Sequence, residues 1–242
     1  IMSTTNLFNS KDKEEDQWIS VSDLMTGLMI IFLFIAISFI RDIRIDRDKI
    51  EEIAITWKRT QDLVYEDLKR TFEEDLKRWN ARLIRENLTI TFPESVSFKA
   101  GSKSVSPKFQ EILNDFFPRY LKVLSKYKDK IKEIRIEGHT SSEWLGERSE
   151  INRYFKNMDL SQERTRSVLR HVLYQPGTFK RYGWAKNLIT ANGLSSSKLI
   201  YYKKNGKLYE DKVRSRRVEF KVVTVSKELI QQIISRNKVY DG

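Results

Sequence analysis

The sequence predicts a membrane-anchored α/β protein: a single N-terminal transmembrane helix, a helical linker, and a C-terminal α/β sandwich of one sheet and a helical layer. Three observations carry this. Residues 18–40 form one apolar run, WISVSDLMTGLMIIFLFIAISFI, without charge between Asp23 and Arg41. Residues 41–87 are dense in both signs of charge, with apolar positions at helical spacing. From Leu88 to Val225, short alternating stretches take turns with helical ones, the pattern of a sheet covered by helices.

Residues 1–17 are a polar leader that mixes charge signs as KDKEED. The run that follows is long enough to span, because about 20 apolar residues at 1.5 Å rise cover the hydrocarbon core. It lacks the basic leader and small-residue cleavage site of a signal peptide, so it reads as an uncleaved anchor. Asp23 is its one carboxylate. A dehydrated carboxylate is either neutral or sits in a wet, partner-lined crevice, and both states suit a proton carrier. The competing reading is a helix cap by Ser22 or Asp23 near the headgroups. Thr26 adds a hydroxyl one turn on, and Gly27 lets another helix approach closely.

In the linker, Ile43, Ile50, Ile53, Trp57, Val64, Leu68, Phe72, Leu76, Trp79 and Leu83 recur at spacings of three, four and seven. The stripe leaves a strict heptad after Val64, which favours helices packing on a partner or a second copy over a long coiled coil. A solvated connector is the alternative for its second half. Leu88–Phe92 alternates and reads as the first strand of the domain. Pro107–Tyr127 reads as a helix with Pro107 in its first turn and an interruption at Pro118. Ile131–Glu137 is a strand, Asp159–Tyr174 a helix, and Leu199–Tyr202 and Arg217–Val225 the last strands. Residues 226–242 remain as a tail.

Composition narrows the function. The 242 residues carry a net charge of +12 and no cysteine, which removes disulfides and thiolate metal sites. Only His139 and His171 are present, without the spacing of a zinc enzyme, and His139 is expected to order its loop rather than bind metal. The positive charge suits nucleic acid, anionic lipid or an anionic envelope polymer, but no nucleic-acid module is recognisable. No cofactor or metal is expected.

Trp18, Asp23, Leu24, Met25, Thr26 and Met29, as WxxxxDLMTxxM, resemble the transmembrane signature of B-type stator subunits of ion-driven rotary motors. The resemblance implies that Asp23, with Thr26 beside it, carries the ion, that Ile43–Trp57 lies where the family has a plug, and that the chain is not an enzyme. It further implies a multi-span A subunit as partner, five copies around a dimer of this chain. The SDLMTGLM wording and compact length look closest to the Zorya anti-phage defence branch of that family. A flagellar stator is the alternative.

A second set of motifs resembles the OmpA-like peptidoglycan-binding domain. Gly138-His139-Thr140 follows a strand, Asn157, Leu160, Ser161 and Arg164 spell NxxLSxxR, and Arg216-Arg217-Val218 opens the last strand. The resemblance implies a peptidoglycan site drawn from Thr140, Ser141, Asn157, Leu160, Arg164 and Arg217, with Arg164 holding a carboxylate of diaminopimelate. A guanidinium suits that task. Where the family has Asp after GHT this chain has Ser141, and it carries extra sequence between Trp144 and Lys156. Leu160 also reads as a packing residue and Ser161 as a helix cap. Arg216 and Arg217 alternate across a strand, so at most one faces the site.

Basic residues are denser after the span than before it, which by itself favours a cytoplasmic C-terminus. A wall-binding domain requires the opposite: an inner-membrane protein with a cytoplasmic N-terminus and a periplasmic domain. Long segments translocate largely regardless of charge. A passive envelope anchor, in which Asp23 has no task, is the competing function.

Overall fold

The computed structural model describes residues 8–99 and 101–225; the leader's first seven residues and the expected tail 226–242 lie outside the described residues. The chain forms two compact units, Ile1–Glu52 and Ile53–Gly242. Helix α1, Phe8–Arg78, contributes to both.

In the first unit, the apolar side chains of the run stand open to their surroundings, with Leu24 at 74% and Phe34 at 73% exposure. Such a continuous apolar surface needs lipid or partner helices to cover it. Among the described residues this is the one helix long and apolar enough to cross a membrane.

In the second unit, α1 turns its other stripe into a core. Val64, Leu68, Phe72, Leu76 and Trp79 are buried there, so the second half of the expected linker is part of the domain. Strand β1 (Arg82–Ile84) follows and pairs with β2 (Thr89–Pro93). After the short helix α2 (Glu94–Ser97) come α3 (Pro107–Ser125), β3 (Ile131–His139), α4 (Glu150–Leu173), the short α5 (Thr178–Tyr182) and β4 (Ile189–Gly193). A hairpin of β5 (Tyr201–Lys204) and β6 (Lys207–Glu210), the short α6 (Lys212–Ser215) and β7 (Arg217–Thr224) complete it.

The five-stranded sheet has the order β1-β2-β7-β3-β4, antiparallel except for the β3–β4 pair. Alternation on β3 and β7 sends Ile134, Ile136, Val218, Phe220 and Val222 into the core. There Phe116 packs against Phe72, Phe92, Tyr120 and Phe220 at centroid distances of 5.0–5.4 Å. Pro118 lies inside α3 without ending it.

Two glycines set how deeply α4 sits. Gly138 and Gly193 are register partners on β3 and β4, and Ser161 and Gln162 of α4 lie directly on them. A Cβ at Gly193 would meet the Gln162 nitrogen at 2.3 Å, and one at Gly138 the Ser161 carbonyl oxygen at 2.9 Å. Neither position admits a side chain without moving the helix. Helix α4 begins at Glu150, capped by Ser149, nine residues before the sequence placed it, so Ser161 is mid-helix and not a cap.

Candidate functional site

The packing of α4 on the glycine pair brings the NxxLSxxR residues down to the loop after β3. Ser161 Oγ accepts from Ser195 N at 3.0 Å, and Thr140 N donates to Ser195 O at 3.0 Å, joining helix and loop through the turn after β4. Asn157 is buried and its Nδ2 donates to the Glu143 carbonyl at 3.1 Å, so it holds the loop in place. Leu160 is buried beside this junction, apart from the main core.

Arg164 lies almost wholly inside, its side chain 4% exposed. Its Nε donates to the Ser102 carbonyl at 2.9 Å, its Nη2 stands 2.7 Å from Glu94 Oε1, and its guanidinium covers the Phe98 ring at 4.7 Å. Burial pulls this guanidinium below its usual pKa, with Glu94 opposing the shift. The second Glu94 oxygen takes Arg216 Nε at 2.6 Å, and Arg216 Nη1 reaches Ser141 Oγ at 3.4 Å. Arg164, Glu94, Arg216 and Ser141 therefore form one continuous chain of contacts, with Arg216 the most open of its charged members.

Arg217 is not brought into this group. Extended backbone turns it to the opposite sheet face, where it donates to Glu219 Oε1 at 2.6 Å and to the Ser215 and Lys198 carbonyls. Its neighbour Arg216 is the one that stands beside Glu94 and Ser141. Thr140 is buried, with its hydroxyl unpartnered. The Glu143 carboxylate pairs with Lys212 and is not turned to the arginines. Glu94, which sequence reasoning missed, supplies the acid; its one signal was a carboxylate directly after Pro93 at the end of a strand.

His139 lies on the face shared by Arg217, between Glu137 and Glu219, which oppose each other on β3 and β7. One ligand atom from each of the three falls within 4.8 Å of the others. Each carboxylate already faces a cation, Arg135 and Lys221 at Glu137 and Arg217 at Glu219, so the set reads as a balanced ion network. Burial works against ionised Glu219, but His139 and Arg217 outweigh it and hold its pKa at about 2. The same face lines a cleft of about 1340 Å³ that also takes in Gln162, Glu163 and Arg166 of α4.

In the first unit, Thr26 Oγ1 donates to the Ser22 carbonyl at 2.8 Å, which commits its hydrogen to the helix and leaves its oxygen as an acceptor. Asp23 is exposed and has no ion-pair partner among the described residues.

An apolar helix carrying one carboxylate precedes a five-stranded α/β domain, and that domain has the fold of a MotB-like protein. A MotB-like protein from Desulfovibrio vulgaris shares the fold at TM-score 0.50 and 20% identity, covering 69% of this chain and 96% of that one. The periplasmic domain of Helicobacter pylori MotB aligns at TM-score 0.42 and 18% identity, over 65% and 90%. No family model matches. The chain belongs to the family of Zorya protein ZorB: it is 44% identical to ZorB of Escherichia coli (strain Crooks) over 225 residues, 93% of this chain and 94% of that protein.

Proposed function

We propose that this chain is the peptidoglycan-anchored B subunit of a proton-driven inner-membrane rotary motor serving anti-phage defence. Its work is transport and anchoring, not catalysis. Asp23 carries the proton and Thr26 offers an acceptor one turn away. The outer domain faces the periplasm and grips the wall through Arg216, Ser141 and, behind them, Arg164 and Glu94. A single span cannot enclose an ion path, so a multi-span A subunit is required, five copies around a dimer of this chain. The observation that carries the reading is Asp23, the one carboxylate in an otherwise uncharged span of a ZorB-family chain, without an ion-pair partner among the described residues.

Wall binding follows from the Glu94 bridge. A diaminopimelate carboxylate would compete with Glu94 for the two guanidiniums, and its ammonium would meet the Glu94 oxygen so released.

Proton transfer needs a group that binds a proton on one side and releases it on the other, and each charge moved through 100 mV yields about 2.3 kcal/mol. An amide of the same shape cannot titrate. Asp23→Asn should abolish phage protection at matched expression with insertion and A-subunit assembly intact, whereas Asp23→Glu should retain part of it. A fully protective asparagine variant would contradict the motor and favour a passive anchor.

A further inference from the structure

The β5–β6 hairpin has no place in the five-stranded sheet, and its residues from Tyr201 to Tyr209 are all exposed. Asn205 and Gly206 form its turn with φ of 52° and 77°, the two-residue geometry that matches strand twist. Register puts Tyr202 opposite Tyr209 and Lys204 opposite Lys207, all four on one face. The tyrosine rings stack at 6.0 Å and 28°. Like charges directly opposite one another are destabilising, and neither lysine has an acidic partner among the described residues. Two rigid aromatic rings beside two unpaired cations, on a strand pair that contributes nothing to the core, suit a ligand with apolar ring faces and negative charge.

The hairpin's base is built into the loop of the wall site. Ser142 N donates to Glu210 Oε1 at 3.0 Å and Ser142 Oγ donates to Glu210 Oε2, while Lys212 pairs with Glu143. The hairpin's base is thereby tied to the residue that follows Ser141. We infer that Tyr202, Tyr209, Lys204 and Lys207 form a second subsite that takes the saccharide strand of peptidoglycan, stacking sugar rings on the tyrosines and pairing neighbouring carboxylates with the lysines. This rests on the wall-anchor reading and extends it from peptide stem to glycan.

The full chain in detergent can be sedimented with intact sacculi and with glycan strands stripped of peptide stems by amidase. The parent should bind both. Tyr202→Ala with Tyr209→Ala should weaken binding to both by about fivefold, the size of an aromatic contact, with an unchanged melting temperature. Tyr202→Phe with Tyr209→Phe should restore it, and Arg216→Ala should affect intact sacculi alone. A parent that binds sacculi but not stripped glycan, or tyrosine variants that bind glycan like the parent, would overturn the subsite and leave the anchor standing. Failure to bind sacculi at all would overturn both. Loss confined to a single-stranded oligonucleotide control would assign the face to nucleic acid instead.

Discussion

A buried carboxylate held beside Arg217 and His139 makes pH a probe of single residues here. Glu219 is held at about 2 against an ordinary 4.5, so its contribution is complete above pH 4.5 and disappears as pH falls toward 2. At about 1.4 kcal/mol per unit this amounts to roughly 3 kcal/mol. Denaturant melts of Glu219→Gln between pH 6 and 2.5 should show a visibly shallower acid limb than the parent. Asp75 and Glu137, also held low, leave a residual slope. An unchanged limb would mean that Glu219 is no more ionised in the fold than outside it. At this scale the sequence was legible in residue type but not in facing. It allowed at most one of two adjacent arginines to face a site, yet strand parity depends on where pairing starts, and that follows only from Glu219 lying opposite Glu137.

The element most altered by tertiary context is α1. Its apolar stripe was readable, but periodicity says that a face is buried and not what buries it. Phe72 and Trp79 turn out to contact Phe116 and Phe92. Two further contacts fix the junction: Asp75 binds Arg119 at 2.7 Å, and Arg119 donates to the Thr71 carbonyl at 2.7 Å. A fragment of residues 88–225 should therefore lack a cooperative melt that residues 53–242 display. Phe72→Ala in the longer fragment should cost about 3–5 kcal/mol. Equal stability of the two fragments would show that α1 is dispensable. Strands β2, β3 and β7 and helix α3 were visible because alternation and proline punctuate them. Strand β4 was not, since Ile189–Gly193 is short and half-polar. The start of α4 was missed because the motif at Asn157 looked like a beginning when it is the middle.

For the whole molecule, anchoring and proton transfer should be separable. Arg216→Ala leaves Glu94 paired with Arg164, so the domain should stay folded. Loss of one charge-assisted contact of about 1.5 kcal/mol would lower sacculus binding roughly tenfold. Phage protection should fall with it while Asp23 chemistry and membrane insertion are untouched. Retained binding would move the wall site elsewhere. That an apolar helix precedes an α/β domain could be read from the order of apolar and alternating stretches, and the family from sixteen residues in four motifs. The Glu94 bridge could not, because its partners are 70 and 122 positions away along the chain.

The burial of Val64–Trp79 has a mechanical corollary. If this chain resists torque, the load reaches the domain along a helix whose last turns are interdigitated with Phe92 and Phe116 and clamped by Asp75 to Arg119. There is no slack tether at that junction to stretch first. Force is taken up at once by close-packed rings, which yield far less than an unstructured linker of equal length. On that reading the domain's own core sets the stiffness of the attachment, and a softer core would let the held end drift before it resisted.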